Sequence, residues 1–193
     1  MRLVDENRIE KVEMACVELM VQNGYGGASV AQMAKRAGVS KGYLYRFYKN
    51  KEDLVQSLLT RHINLILDHI NTSLDQNCSL TEVITFLVHY LFKLGEENPE
   101  KAKFIYVLIH DYNFQFEKEQ QEAIKQTIKR IYTTGIAQKS ISETCREEEI
   151  FTILVIYPLD FMNLRFKNTF GLSHWQQEDI DRVISFCINT LKH

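Results

Sequence analysis

"GVSKGYLYRFYKNK", residues 38–51, decides the fold. It opens on a glycine suited to a tight turn, followed by a serine able to cap a helix. It then carries four basic residues (Lys41, Arg46, Lys49, Lys51), four aromatic rings (Tyr43, Tyr45, Phe47, Tyr48) and no carboxylate. A short amphipathic helix buries one or two such rings but hardly four, so the rest of this surface is left for a partner.

Working outward, helical punctuation surrounds the stretch. Apolar residues at Ile9, Val12, Cys16 and Leu19 predict a first helix over residues 6–22, and Asn23-Gly24 is a natural stop. Ser29 with Gln32 three residues on forms a capping box for a second helix that ends near Arg36. Ala37-Gly38-Val39 is the turn, and Ser40 caps a short third helix. Two short helices joined by a glycine-containing turn have the proportions of a helix-turn-helix. Val30, Met33, Ala34 and Val39 then pack on the first helix, and Leu44 and Tyr48, four apart, complete a small core. Phe47 is expected to be buried with Tyr48. That leaves Lys41, Tyr43, Tyr45 and Arg46 pointing outward, where Lys and Arg reach guanine edges or phosphates and tyrosine reaches phosphate.

The remainder of the 193 residues also reads as helix. Asn50 can cap a long helix reaching about residue 74, and Ser79 with Glu82 caps another that Gly95 closes. Pro99 suits a first helical position. A polar helix covers roughly 116–139, and three acids at 147–149 start a helix whose centre, "IFTILVIYPLDFMNL", is apolar nearly all round and should kink at Pro158. A last helix carries Ile180, Val183, Ile184, Cys187, Ile188 and Leu191 on one stripe. The expected architecture is all-α: a head over residues 1–50 and a helical body over 51–193, joined by the long helix.

Charge is uneven. Residues 19–51 hold six basic and no acidic residues, whereas residues 61–193 hold 14 basic and 18 acidic, a net of −4. A basic module on an acidic body fits a polyanion at one end only. No apolar run approaches the roughly 20 residues that span a bilayer, and the N-terminus lacks the apolar core of a signal peptide, so a cytoplasmic protein with no membrane partner is expected. The four cysteines lie far apart and form no C-x-x-C pair. His62 and His69 sit two helical turns apart, too far to share a metal, and His110 and Asp111 are adjacent and face apart. No nucleophile, base and orienter set is present, and no catalytic residue, metal or cofactor is expected.

The run "GYGGASVAQMAKRAGVSKGYLYRFYKNKEDL", residues 24–54, resembles the tetracycline-repressor (TetR) family of bacterial regulators. It follows that family's A-G-V-S-x-G-x-L-Y core in register through to K-E-x-L, with Ala28 where Thr or Ser is common, Phe47 where His or Tyr is usual, and Tyr43 bulkier than the usual residue. The resemblance implies that Lys41, Gly42, Tyr43, Tyr45 and Arg46 supply base and phosphate contacts in double-stranded DNA. It places Lys51 on a backbone phosphate and Ser29 at a hydroxyl position opening the second helix. It further implies a homodimer through the last two helices, a palindromic operator, and a small apolar or amphipathic effector that releases a repressor from DNA. The effector pocket expected from the aromatic body helices comprises Phe86, His89, Tyr90, Phe104, His110, Tyr157 and Phe161. The alternative is a DNA-binding architectural or partner-recruiting protein with no small-molecule effector.

Overall fold

The computed structural model describes residues 2–192. Ten α-helices and one π-helical segment account for the regular structure, with no strand among the described residues. They divide into two compact units: one runs to Ile63 and includes Glu100–Glu117, the other comprises Asn64–Pro99 and Lys118 onward.

The first unit holds the head. Helix α1 (Arg2–Gly27) is interrupted at Gly24, which adopts φ +69°, a left-handed conformation that glycine alone takes at little cost. The expected stop after Asn23 is therefore a sharp bend, with helical residues continuing to Gly27. Helix α2 (Val30–Ala37) begins with the Ser29–Gln32 capping box and ends on Gly38 at φ +67°. Helix α3 (Lys41–Leu44) is capped by Ser40, whose Oγ accepts from the Tyr43 N–H at 3.1 Å. Val12, Cys16, Leu19 and Met20 from α1 form the core with Met33, Ala34 and Leu44. Helix α4 (Lys51–Asp75) starts where Asn50 Oδ1 accepts from the Asp53 N–H at 2.8 Å. Helix α6 (Pro99–His110), which follows α5 (Leu80–Glu97), gives this unit Ala102, Phe104, Ile105 and Leu108 as buried side chains.

In the second unit α5 packs against α9 (Tyr157–Phe166) and α10 (Gln177–Lys192), and α7 (Lys118–Ala137) packs against α8 (Glu147–Phe151). The Ser79–Glu82 capping box opens α5 as the sequence predicts. Gly95 does not close it: the helix runs on to Glu97, and an added Cβ at Gly95 would sit 2.9 Å from Met162 Sδ and 3.0 Å from the Trp175 ring. The glycine is there for close approach. Between α8 and α9, Thr152–Ile156 is π-helical, and the Tyr157 N–H bonds the Thr152 carbonyl five residues back. In that register residue 158 would donate to the Ile153 carbonyl, but Pro158 has no N–H. The buried Cys187 thiol donates there instead, at 3.2 Å, and burial pushes its pKa up to about 12. Wide turns of this kind absorb an irregularity within a helix.

Gly135 in α7 tests the packing. An added Cβ would meet Ile141 at 2.5 Å and Leu80 at 3.0 Å. Alanine gains about 1 kcal/mol of helix propensity, whereas overpacking costs about 1–3 kcal/mol. Gly135→Ala is therefore expected to lower the melting temperature in a thermal unfolding scan, despite being the better helix former.

Candidate nucleic-acid interface

The helix-turn-helix surface is built by a few local ties. Arg36 on α2 pairs with Glu18 at 2.5 Å and donates to Gln22 at 3.1 Å, both on α1. Tyr48, just past the recognition turn, donates its hydroxyl to Glu13 Oε1 at 3.1 Å, and Arg61 from α4 donates to the same oxygen at 2.7 Å. Lys51, in the first turn of α4, donates to the Tyr25 carbonyl at 2.7 Å, with its ammonium 4.1 Å from the Tyr25 ring centroid. The Tyr25 N–H donates to Asp111 Oδ2 at 2.9 Å, and the Tyr25 ring stands edge-on to Phe114. The Gln56 amide, buried in α4, donates to the Gln115 carbonyl at 2.7 Å.

Ser29, Lys41, Gly42, Tyr45 and Arg46 all lie exposed on this surface, joined by Lys35 and Lys49. Two aromatic assignments reverse. Tyr43, expected outward, is only 9% exposed, and Phe47, expected in the core, is 40% exposed; Tyr45, at 53%, faces solvent as predicted. Helix α3 ends at Leu44, and beyond it three-residue bonds (Arg46 N to the Tyr43 carbonyl, Phe47 N to the Leu44 carbonyl) mix with the four-residue bond from Tyr48 N to the Leu44 carbonyl. Helical spacing extrapolated to Tyr48 misplaces the two rings. Tyr43 lies 5.2 Å from Phe47, and the guanidiniums of Arg8 and Arg46 each sit 5.9 Å from its ring centroid. Tyr48 is half-buried. Lys51 also turns inward, using one of its three donors on Tyr25. Ala28, at the departure from the family pattern, is buried.

Asp111, which the sequence marks only as a neighbour of His110 facing away from it, accepts from the Tyr25 and Asn113 N–H groups. Backbone N–H donors from Asn113 and Tyr25 hold its carboxyl below the usual carboxylate range. It sits just after a helix end, where Asp commonly turns the chain.

The residues expected around an effector fall in both units. Phe104 and His110 belong to the first unit, the others to the second. Phe86 stacks on His69 and tilts against Tyr90, Tyr157 lies against Phe186, and Phe161 against Phe92. His89 and His110 are exposed, the latter with Nδ1 2.8 Å from the Tyr106 carbonyl. Among the described residues no group of three or more His, Cys, Asp or Glu is arranged to hold a metal ion, and no helix is long and apolar enough to cross a membrane. All four cysteines are free.

Residues 15–58 match the model of the bacterial regulatory proteins of the tetR family. The fatty acid metabolism regulator protein of Bacillus subtilis (strain 168) is 26% identical over 132 residues, 67% of this chain and 68% of that protein. The nucleoid occlusion factor SlmA of Vibrio campbellii is 26% identical over 129 residues, 66% of this chain and 64% of its own length. Among solved structures, a TetR family transcription regulator from Marinobacter aquaeolei VT8 superposes with a TM-score of 0.72 at 20% identity, covering 99% of this chain and 98% of that one. The regulator FadR from Bacillus subtilis, solved in complex with stearoyl-CoA, gives 0.65 at 19% identity, covering 93% and 97%. At these identities the structural likeness carries the fold.

Two measurements check the local account. Removing the buried Tyr43 ring costs about 3 kcal/mol or more, whereas truncating an exposed side chain stays within about 0.5 kcal/mol. Tyr43→Ala is thus expected to destabilise the protein in denaturant titration and Tyr45→Ala to leave it unchanged. Asp111 stabilises the fold in full above the ordinary carboxylate pKa, and the contribution disappears as pH falls through its lowered folded value. Asp111→Asn should therefore be less stable than wild type at neutral pH, with the difference shrinking below about pH 4.

Proposed function

We propose, from the match of residues 15–58 to the tetR family of bacterial regulatory proteins, that the chain is a cytoplasmic repressor that binds a palindromic operator as a homodimer and is released by a small amphipathic effector. One observation carries the DNA-binding part. The exposed face of the helix-turn-helix presents Lys35, Lys41, Tyr45, Arg46 and Lys49, and no carboxylate occurs from residue 19 to residue 51. Lysine and arginine on such a face meet phosphates and guanine edges, while Tyr45 and Ser29 offer hydroxyls to the backbone. Gly42 lets the chain approach closely, and Lys51 keeps two donors for a phosphate beside α4.

A dimer explains the second unit's uncovered apolar surface. Leu164 on α9 and Phe186 on α10 are exposed, and Ile153, Ile156, Tyr157 and Phe161 are only partly covered within one chain. A second copy of α9 and α10 would cover them and set two recognition helices about 34 Å apart, one turn of DNA. For the effector, the Bacillus subtilis relatives supply the chemistry: a regulator of fatty acid metabolism, and a FadR solved with stearoyl-CoA. An acyl chain with a polar head suits the half-buried aromatic rings Phe86 and Tyr90 of the second unit. Such a ligand shifts the DNA-binding equilibrium only by its differential affinity for the two states. The kinship with a nucleoid occlusion factor favours a second reading, in which the same head binds DNA without any effector.

Fluorescence anisotropy on the fragment upstream of its own gene tests this. Affinity should fall steeply with salt, because each neutralised phosphate releases counterions. Lys41→Ala should weaken binding and reduce the salt slope by about one unit. Stearoyl-CoA should weaken binding of the wild type. Undiminished binding in both Lys41→Ala and Tyr45→Ala would remove the assigned interface, and DNA binding indifferent to acyl-CoA would favour the effector-free reading.

A further inference from the structure

Within the first unit a cleft of about 280 Å³ opens between α1, α4 and α6. Val17, Leu58 and Phe104 give it a buried apolar wall, and the exposed Met14 stands at its edge. Phe104, grouped with the effector aromatics by resemblance, lies here.

The charged residues lining the cleft are two carboxylates, Glu10 and Glu13, and two cations, Arg61 and Lys101. Arg61 places its two terminal nitrogens on Glu13 at 2.7 and 3.4 Å, so this pair largely neutralises itself. Glu10 is exposed on α1. Lys101 from α6 is half-buried, and no carboxylate on that helix is paired with it. Beside it His62 carries a buried Nδ1 with no hydrogen-bond partner. Burial first, then the positive charges of Lys101 and Arg61, hold His62 below its ordinary value, so the imidazole is neutral at pH 7. A buried ring nitrogen without a partner, an adjoining ammonium and an apolar wall make a site that an anion with an apolar body completes.

We propose that this cleft binds a small carboxylate carried on an aromatic ring or short alkyl chain, with the carboxylate on Lys101 and His62 and the apolar part against Leu58 and Phe104. On the same cleft Arg61 holds Glu13, and Glu13 holds the Tyr48 hydroxyl just past α3. Binding here is independent of the operator reading, since it can be measured on the protein alone.

Benzoate and hexanoate are titrated into the full chain while the His62 ring resonances are followed by NMR, with benzamide and hexanol as uncharged matches. Saturable shifts at His62 with the carboxylates only, and a rise in the His62 pKa at saturation, are expected. Lys101→Gln should weaken binding about tenfold or more, the scale of a lost charge-assisted hydrogen bond. Lys101→Arg, which keeps the charge, should retain it, as should Lys125→Gln on α7. An equal response to the uncharged matches, no saturable shift at His62, or equal loss in Lys101→Arg and Lys101→Gln would overturn the site.

Discussion

The bend at Gly24 and the residue that follows it set the geometry of the first unit. Tyr25 is gripped on both sides of its peptide: Lys51 takes its carbonyl and Asp111 takes its N–H. The ammonium also lies over the Tyr25 ring, and Phe114 closes the edge. These bonds join the end of α1, the start of α4 and the segment after α6. Because α2 begins three residues beyond Gly27, its direction depends on how Tyr25 is held. A residue with a Cβ at Gly24 would be strained at φ +69° and would stand 3.4 Å from the Asp111 carboxylate. The position admits glycine because its conformation requires it.

Given that frame, the basic residues of the head divide by partner. Arg36 and Lys51 are committed inward, to Glu18 and Gln22 in one case and to Tyr25 in the other. Lys35, Lys41, Arg46 and Lys49 are exposed, and Arg46 lies within 6 Å of both the Tyr43 and Phe47 ring centroids. An arginine held over aromatic faces loses less freedom when it meets a phosphate than one ranging free. Part of the basic run therefore builds the head, and the other part is presented by it. The exposed part is the part that matters for a polyanion.

How much of this could be read in advance follows from range. Ser29 with Gln32, Ser79 with Glu82, Asn50 before α4 and the glycine at 38 are all local devices, and the structure uses each as its sequence spacing implies. The exchange of Tyr43 and Phe47 is illegible because α3 is only four residues long, Lys41–Leu44, too short for periodicity to fix which face it buries. Gly95 was misread for another reason. Its neighbour Trp175 is 80 residues away in sequence, and only folding brings the ring to it. Residue type and helical position identify the body aromatics, while their pairing with His69, Phe92 and Phe186 depends on packing between distant helices. The cleft beside His62 likewise combines three helices, and no single stretch announces it.

The central claim is that the exposed, acid-free face of the helix-turn-helix meets duplex DNA. Amide chemical-shift mapping of the labelled protein with its upstream DNA tests it most directly. The account predicts that shifts concentrate at Ser29 and across Lys41–Arg46, extend to Lys49 and Lys51, and spare α9 and α10. Shifts confined to other surfaces, with residues 41–46 unmoved while DNA is bound, would contradict it.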